Sequence, residues 1–215
     1  MGMGIEMTNT NSASRIISIL RQAHEENEPK KTFEVWSDVF DINEGNQNKK
    51  NMEITRCLSL MHDEIELIQE DMQLAKLDEF QCRPLLNSIF NVLSVEALMG
   101  PWNALKPKLT REVFLCLGYC RQVLPDEEDT VDLKDVEELY ELISNLESQL
   151  ASSSLPAFTQ KMIKNHINGI LKALHNYKIL GASSLQNAMN TVVGELVANE
   201  DVIIDAKDSE EINLL

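Results

Sequence analysis

Glycine and proline are scarce in this chain, 8 and 6 among 215 residues, and aromatic side chains make up only 5%. A β-sandwich needs frequent turns and aromatic or β-branched strands, so the composition does not suit one. No apolar run approaches the roughly 18 residues that span a bilayer. The opening MGMGIEMTNTNSAS lacks the basic and apolar regions of a signal peptide. Basic residues are outnumbered, 19 against 35, for a formal charge of −16. Bringing such a charge to a polyanion orders counterions instead of releasing them, so nucleic acid is not an expected partner. The four cysteines, Cys57, Cys82, Cys116 and Cys120, have no secreted-scaffold spacing. They read as reduced, buried thiols of a cytoplasmic protein. Phosphate-binding glycine loops, GxSxG and HExxH are all missing, so neither a cofactor nor a metal site is expected.

What is present is helical periodicity in a chain that is 43% apolar, enough for one sizeable helical domain or two small ones. Residues 1–13 are polar and expected to be disordered. A helix is predicted to start after Ser12 or Ser14, carrying Ile16, Ile17, Leu20 and Ala23. Thr32 is expected to cap a short helix with Phe33, Trp36, Val39 and Phe40. From about 50 to 77 an apolar stripe steps by three or four through Ile54, Leu58, Met61, Ile65, Ile68, Met72 and Ala75. Pro84 is placed in the first turn of the next helix, which is nearly apolar all round through Leu98. Further helices are predicted after Thr110, after Asp132, from Pro156 to a left-handed Gly181, and from Ser183 to Leu196. VANEDVIIDA, 197–206, reads alternatively as a short strand. The expected fold is all-α, about eight helices in a bundle or irregular orthogonal array over 14–198. A subdivision is expected near 125, and an acidic tail over 199–215.

The charge is uneven. Residues 1–125 hold 13 basic and 18 acidic residues, a net of −5, and 126–215 hold 6 and 17, a net of −11. Nine acids fall in 125–141. Glu127, Glu128, Asp129, Glu137, Glu138 and Glu141 are the expected contact residues for a protein partner with a basic surface. Against this background FTQKMIKNHINGILKALHNYKILG, 158–181, has four lysines, two histidines and no acid. At about 100° per residue, Ile163, Ile167, Ile170, Leu174 and Tyr177 form one stripe, while Lys161, Lys164, Lys172 and Lys178 face solvent. The lysines are expected to balance Glu137, Glu138 and Glu141 of the preceding helix. The alternative is a docking face made by Lys161, Lys164 and Lys172. His166 and His175, about 900° apart, point to opposite sides. His166 is expected to be a hydrogen-bonded histidine at the core edge.

Two smaller patterns bear on chemistry. Cys116 and Cys120 lie one turn apart, two thiols where a structural zinc needs four ligands. In RCLSLMH, Arg56 precedes His62 by six positions. This resembles the short Arg–His motif of helical HEPN-type ribonucleases over those seven residues. The resemblance implies metal-independent RNA cleavage by Arg56 and His62 at a dimer interface. The polar residue that often follows the arginine is here Cys57. His62 and Glu66 could also form half of a carboxylate–histidine metal face.

The composition and charge together point to a non-enzymatic interaction protein of bacterial style. A regulator, adaptor or antitoxin- or immunity-type inhibitor, binding a basic partner through its acidic C-terminal half, fits them best. The alternatives are the ribonuclease just described and a homo-oligomeric structural component that uses the apolar stripe of the final helix.

Overall fold

The computed structural model describes residues 11–26, 29–77, 79–127, 133–153 and 155–198, without the side chains of 79–81 and 133–137. The described chain is all-α, as expected. It comprises α1 (Ser12–Glu25), α2 (Thr32–Val39), α3 (Gln47–Leu74), α4 (Glu79–Phe90), α5 (Arg111–Val123), α6 (Leu133–Ala151), α7 (Ala157–Leu180) and α8 (Ala182–Ala198). Three single 3-10 turns lie between Val95 and Lys108. No helix among the described residues is long and apolar enough to cross a membrane. Two compact units result: Met1–Thr130 with Lys178–Gly181, and Val131–Tyr177 with Ala182–Leu215.

In the first unit α1 packs against α2, α3 and α5, and α4 bridges α3 and α5. The predicted stripe of α3 is buried from Ile54 to Met72, and only Ala75 at its end is exposed. Asn46 caps α3 by accepting from the backbone N–H groups of Asn48 and Lys49. Between α2 and the 3-10 turns the chain is tied by backbone bonds, Thr32 N–H to the Gly100 carbonyl and Trp102 N–H to the Lys30 carbonyl. Trp36 and Trp102, both fully buried, meet edge to face at 5.8 Å, and Phe40 stacks on Trp36 at 5.5 Å.

The bounds of α1, α2 and α4 differ from expectation. α1 begins at Ser12, inside the stretch expected to be disordered. Asn11 accepts from Ser14 N–H at 3.0 Å, and the Ser14 hydroxyl accepts from Asn11 N–H at 3.1 Å, closing a capping box. Asn11 Nδ2 also donates to the carbonyls of Arg121 and Leu124, so tertiary contacts anchor this polar segment. Thr32 is the first helical residue of α2, and Glu34 reaches back to accept from Lys31 N–H at 2.7 Å. Pro84 lies inside α4 instead of in its first turn, because the helix already starts at Glu79, and α4 stops at Phe90. A proline there forfeits one N–H bond and crowds the carbonyl one turn back.

The most consequential feature of the first unit is ionic. Arg15 sits on α1 with its side chain only 2% exposed. Its Nη2 donates to Glu64 on α3 at 2.9 Å and to Glu127 at 2.7 Å, while Nε donates to the Ile179 carbonyl at 2.9 Å. Burial alone would lower the guanidinium pKa, but the hydrogen bonds it donates to Glu127 and Glu64 outweigh this and the pKa is raised. Glu64 shares that one cation with Glu127. Its burial pushes the carboxyl pKa up, and Arg15 only partly offsets the shift.

The second unit holds α6, most of α7, and α8. Of the predicted α7 stripe, Ile167, Leu174 and Tyr177 are buried, and Ile163 and Ile170 are half-buried. Gly181 ends α7 with φ 62°, the left-handed conformation expected of it.

Two outcomes follow from the Arg15 cluster. Arg15→Ala leaves two carboxylates without their cation and should cost about 3–5 kcal/mol in urea unfolding. Glu64 has a raised folded pKa, so its contribution is fully present below its unfolded value of about 4.3 and is lost as pH rises through the folded value. Glu64→Gln should therefore gain stability relative to wild type as pH rises through that interval, read from urea midpoints across the acid range.

Candidate functional site

A run of exposed apolar side chains among the described residues lies on the second unit. On α8, Met189, Val193, Leu196 and Val197 fall within about 100° of one another, a single stripe. Each is between 40 and 69% exposed. On α6, Leu142 and Leu146 stand one turn apart and are also exposed, as is Tyr140. Glu138 lies one turn before Leu142, and both Glu138 and Glu141 are exposed. The second unit thus carries apolar side chains in water, and on α6 they lie beside carboxylates. Single exposed leucines are ordinary, whereas a contiguous apolar stripe marks a surface that gets covered.

The other expected contact acids are placed differently. Glu127 has both carboxylate oxygens engaged: one accepts from Arg15, the other from Ser12 N–H at 2.7 Å. It serves the interior of the first unit and the start of α1. Glu128 and Asp129 lie outside the described residues, as does the side chain of Glu137.

Lys161, Lys164 and Lys172 are exposed along α7. Among the described residues no carboxylate stands within salt-bridge distance of them. Glu138 and Glu141 of α6 therefore do not pair directly with these lysines. Lys178, expected on the solvent side, is instead half-buried. Its ammonium donates to Gln22 Oε1 at 2.8 Å and to the Val39 carbonyl. The four-carbon stem lets the charge reach acceptors from a mostly apolar position. Burial lowers its pKa, and Asp41 at 3.9 Å partly offsets this.

His166 is mostly buried, and its Nε2 lies 2.7 Å from Glu195 Oε2 on α8. The pair lines a cavity of about 130 Å³ with Asn165, Gly169, Ala188, Thr191 and Val192. A histidine oriented by a carboxylate can act as a general base toward a side-chain nucleophile, a water or a substrate proton. The one hydroxyl in the cavity, Thr191, donates to the Asn187 carbonyl at 2.9 Å. The arrangement closes the α7–α8 pair and presents no nucleophile–base contact.

Arg56 and His62 are engaged with different neighbours. Arg56 pairs with Glu53 one turn back at 2.8 Å. His62 stacks on Phe90 with ring centroids 4.1 Å apart, and its Nδ1 is 3.7 Å from Glu66. Asp63 joins His62 and Glu66 in an exposed group of three metal-capable side chains.

Cys116 and Cys120 do share a face of α5, and a third thiol, Cys82 of α4, meets them. The three sulfur atoms lie within 4.8 Å of one another, and all three residues are buried. Cys116 Sγ donates to the Cys82 carbonyl at 3.7 Å. Hydrogen bonding with Cys120, then burial, raises the Cys116 pKa, and the same hydrogen bond lowers that of Cys120. Cys57 stands apart, its thiol pushed up to about 11 by burial. The sequence separates Cys82 from Cys116 by a helix end and three 3-10 turns, so spacing alone does not reveal this meeting.

In comparison with known proteins, no family model, characterised protein or solved structure matches this chain.

The two faces of α7 should respond differently to truncation. Ile167→Ala removes a buried side chain and should cost about 2–5 kcal/mol. Lys164→Ala should stay within about half a kcal/mol. Chemical denaturation of the two variants beside wild type checks both.

Proposed function

We propose that this chain is a non-enzymatic protein-interaction module of the regulator, adaptor or inhibitor kind, which binds its partner through the second unit. The observation that carries this reading is the stripe Met189, Val193, Leu196 and Val197 on α8, apolar along its length and open to water. Such a stripe supplies the desolvated core of a contact, and polar residues around it supply the rim. The charge says what the partner looks like. Residues 126–215 carry a net −11 (6 basic, 17 acidic), and the Glu138 and Glu141 carboxylates stand exposed on α6. A partner with an apolar ridge bordered by lysine and arginine fits both properties, and its approach is steered by the acidic field. Four free, buried cysteines accord with the reducing cytoplasm as the place of work.

The test is a photo-crosslinking amino acid at Val193 in the full chain, expressed in cells, with the captured peptides sequenced. The expected product is a crosslink to an apolar segment rich in lysine or arginine. Association with the partner so identified should slow as salt rises, because steering is screened beyond about 8–10 Å at 0.1–0.15 M. Met189→Asp should abolish capture while circular dichroism stays unchanged. Capture of a second copy of this chain would make the stripe a self-association surface. Capture that Met189→Asp leaves intact would refute the assignment to this stripe.

A further inference from the structure

We propose that Cys82, Cys116 and Cys120 form a three-thiol binding site for a trivalent thiophilic metalloid hydroxide, of which arsenite is the simplest. The geometry is the first ground. Two sulfurs project from consecutive turns of α5 and the third from α4, which packs directly on it. All three lie within 4.8 Å of one another. Bonds of about 2.3 Å from one central atom, at the pyramidal angles a lone pair imposes, set three sulfurs about 3.5 Å apart. The cluster therefore needs only a small inward rotation of its side chains to close on one atom.

Coordination number is the second ground. Structural zinc takes four ligands, and catalytic zinc takes three with a water in the fourth position. No fourth histidine, cysteine or carboxylate joins this group among the described residues. The thiols are at most 7% exposed, which disfavours a fourth position open to solvent. Soft sulfur donors select soft, thiophilic centres over hard oxygen-seeking ions.

Charge decides among the soft centres. Three thiolates carry −3, so a monovalent copper leaves −2 and zinc leaves −1. Net charge in an apolar interior is costly without a counter-ion. A trivalent centre leaves zero. The balance of the reaction is equally favourable to a buried site. One arsenic trihydroxide and three thiols give one arsenic trithiolate and three waters. Three arsenic–oxygen bonds break and three arsenic–sulfur bonds form. Each thiol proton leaves with a hydroxide as water, and no atom changes oxidation state. The thiols need no prior ionisation, and no charged product stays behind. Cys57 is outside the group and serves as an internal control.

The experiment uses the full-length protein in a phosphine reductant, with sodium arsenite as the probe and zinc as the competitor. Native mass spectrometry should find one arsenic per folded chain, with the loss of three hydrogens. The melting temperature should rise with arsenite concentration, as for a ligand that favours the folded state. Cys82→Ala and Cys116→Ala should each weaken binding by roughly 100-fold or more, since one of three tethered ligands is gone. Cys57→Ala should bind as wild type does. If an alanine variant fails to fold, serine at the same position makes the same comparison, and the wild-type stoichiometry and melting shift need no variant. No arsenic on the folded chain would overturn the proposal. So would an unchanged or lowered melting temperature, binding that survives loss of Cys82 or Cys116, or stoichiometric zinc that arsenite fails to displace.

Discussion

One guanidinium holds the first unit in register. Arg15 lies on a helix whose neighbouring residues Ile16, Ile17, Ile19 and Leu20 are all buried, so its side chain has no route to water. Its burial can be tolerated only because acceptors converge on it from α3, from the segment after α5 and from the end of α7. Such clusters contribute little net stability over an apolar core, but they penalise every arrangement in which one partner is displaced. A slip of α1 along α3 by one turn would part Arg15 from Glu64 and leave both charges buried and unpaired. The ion cluster thereby penalises any packing that displaces one of its partners.

The apolar architecture was legible from sequence because periodicity reports burial directly. The α3 stripe and the left-handed Gly181 illustrate this, the first through spacing and the second through the steric freedom of glycine. The start of α1 was not legible. Asn11, Ser12 and Ser14 look like a polar tail, and they are buried only because α5 offers carbonyls to Asn11 and Glu127 offers a carboxylate to Ser12. Pro84 misled for a related reason. Proline marks a preferred helix start, but packing on α3 and α5 holds a helix that begins upstream of it. Arg15 itself gave no sign of burial, since nothing in a local window distinguishes it from a surface arginine.

Legibility was lower for function. Glu138 and Glu141 are exposed, as their charge suggested, while Glu127 turned out to serve an interior cation. The sign of a charge can be read from sequence, but its partner cannot when that partner is more than a hundred residues away. The lysine face of α7 was recognisable from the helical wheel, yet the wheel could not show that Lys178 leaves that face for the Val39 carbonyl. The sequence separates Cys82 from Cys116 by elements whose path only tertiary structure defines, so the three-thiol cluster stayed hidden behind an ordinary helical pair.

The acceptor that Ile179 offers to Arg15 has a temporal consequence. Arg15 and Ile179 are separated by 164 residues, although most of the unit they share ends at Thr130. On the ribosome the helices α1 to α5 are made well before the carbonyl that completes their buried arginine. At about 5–20 residues per second, the interval from 130 to 179 is roughly 2–10 seconds. Through that interval the nascent first unit holds a guanidinium whose Nε lacks its final acceptor. The order of synthesis thus leaves the earliest-made part of the molecule unfinished until nearly all of α7 exists.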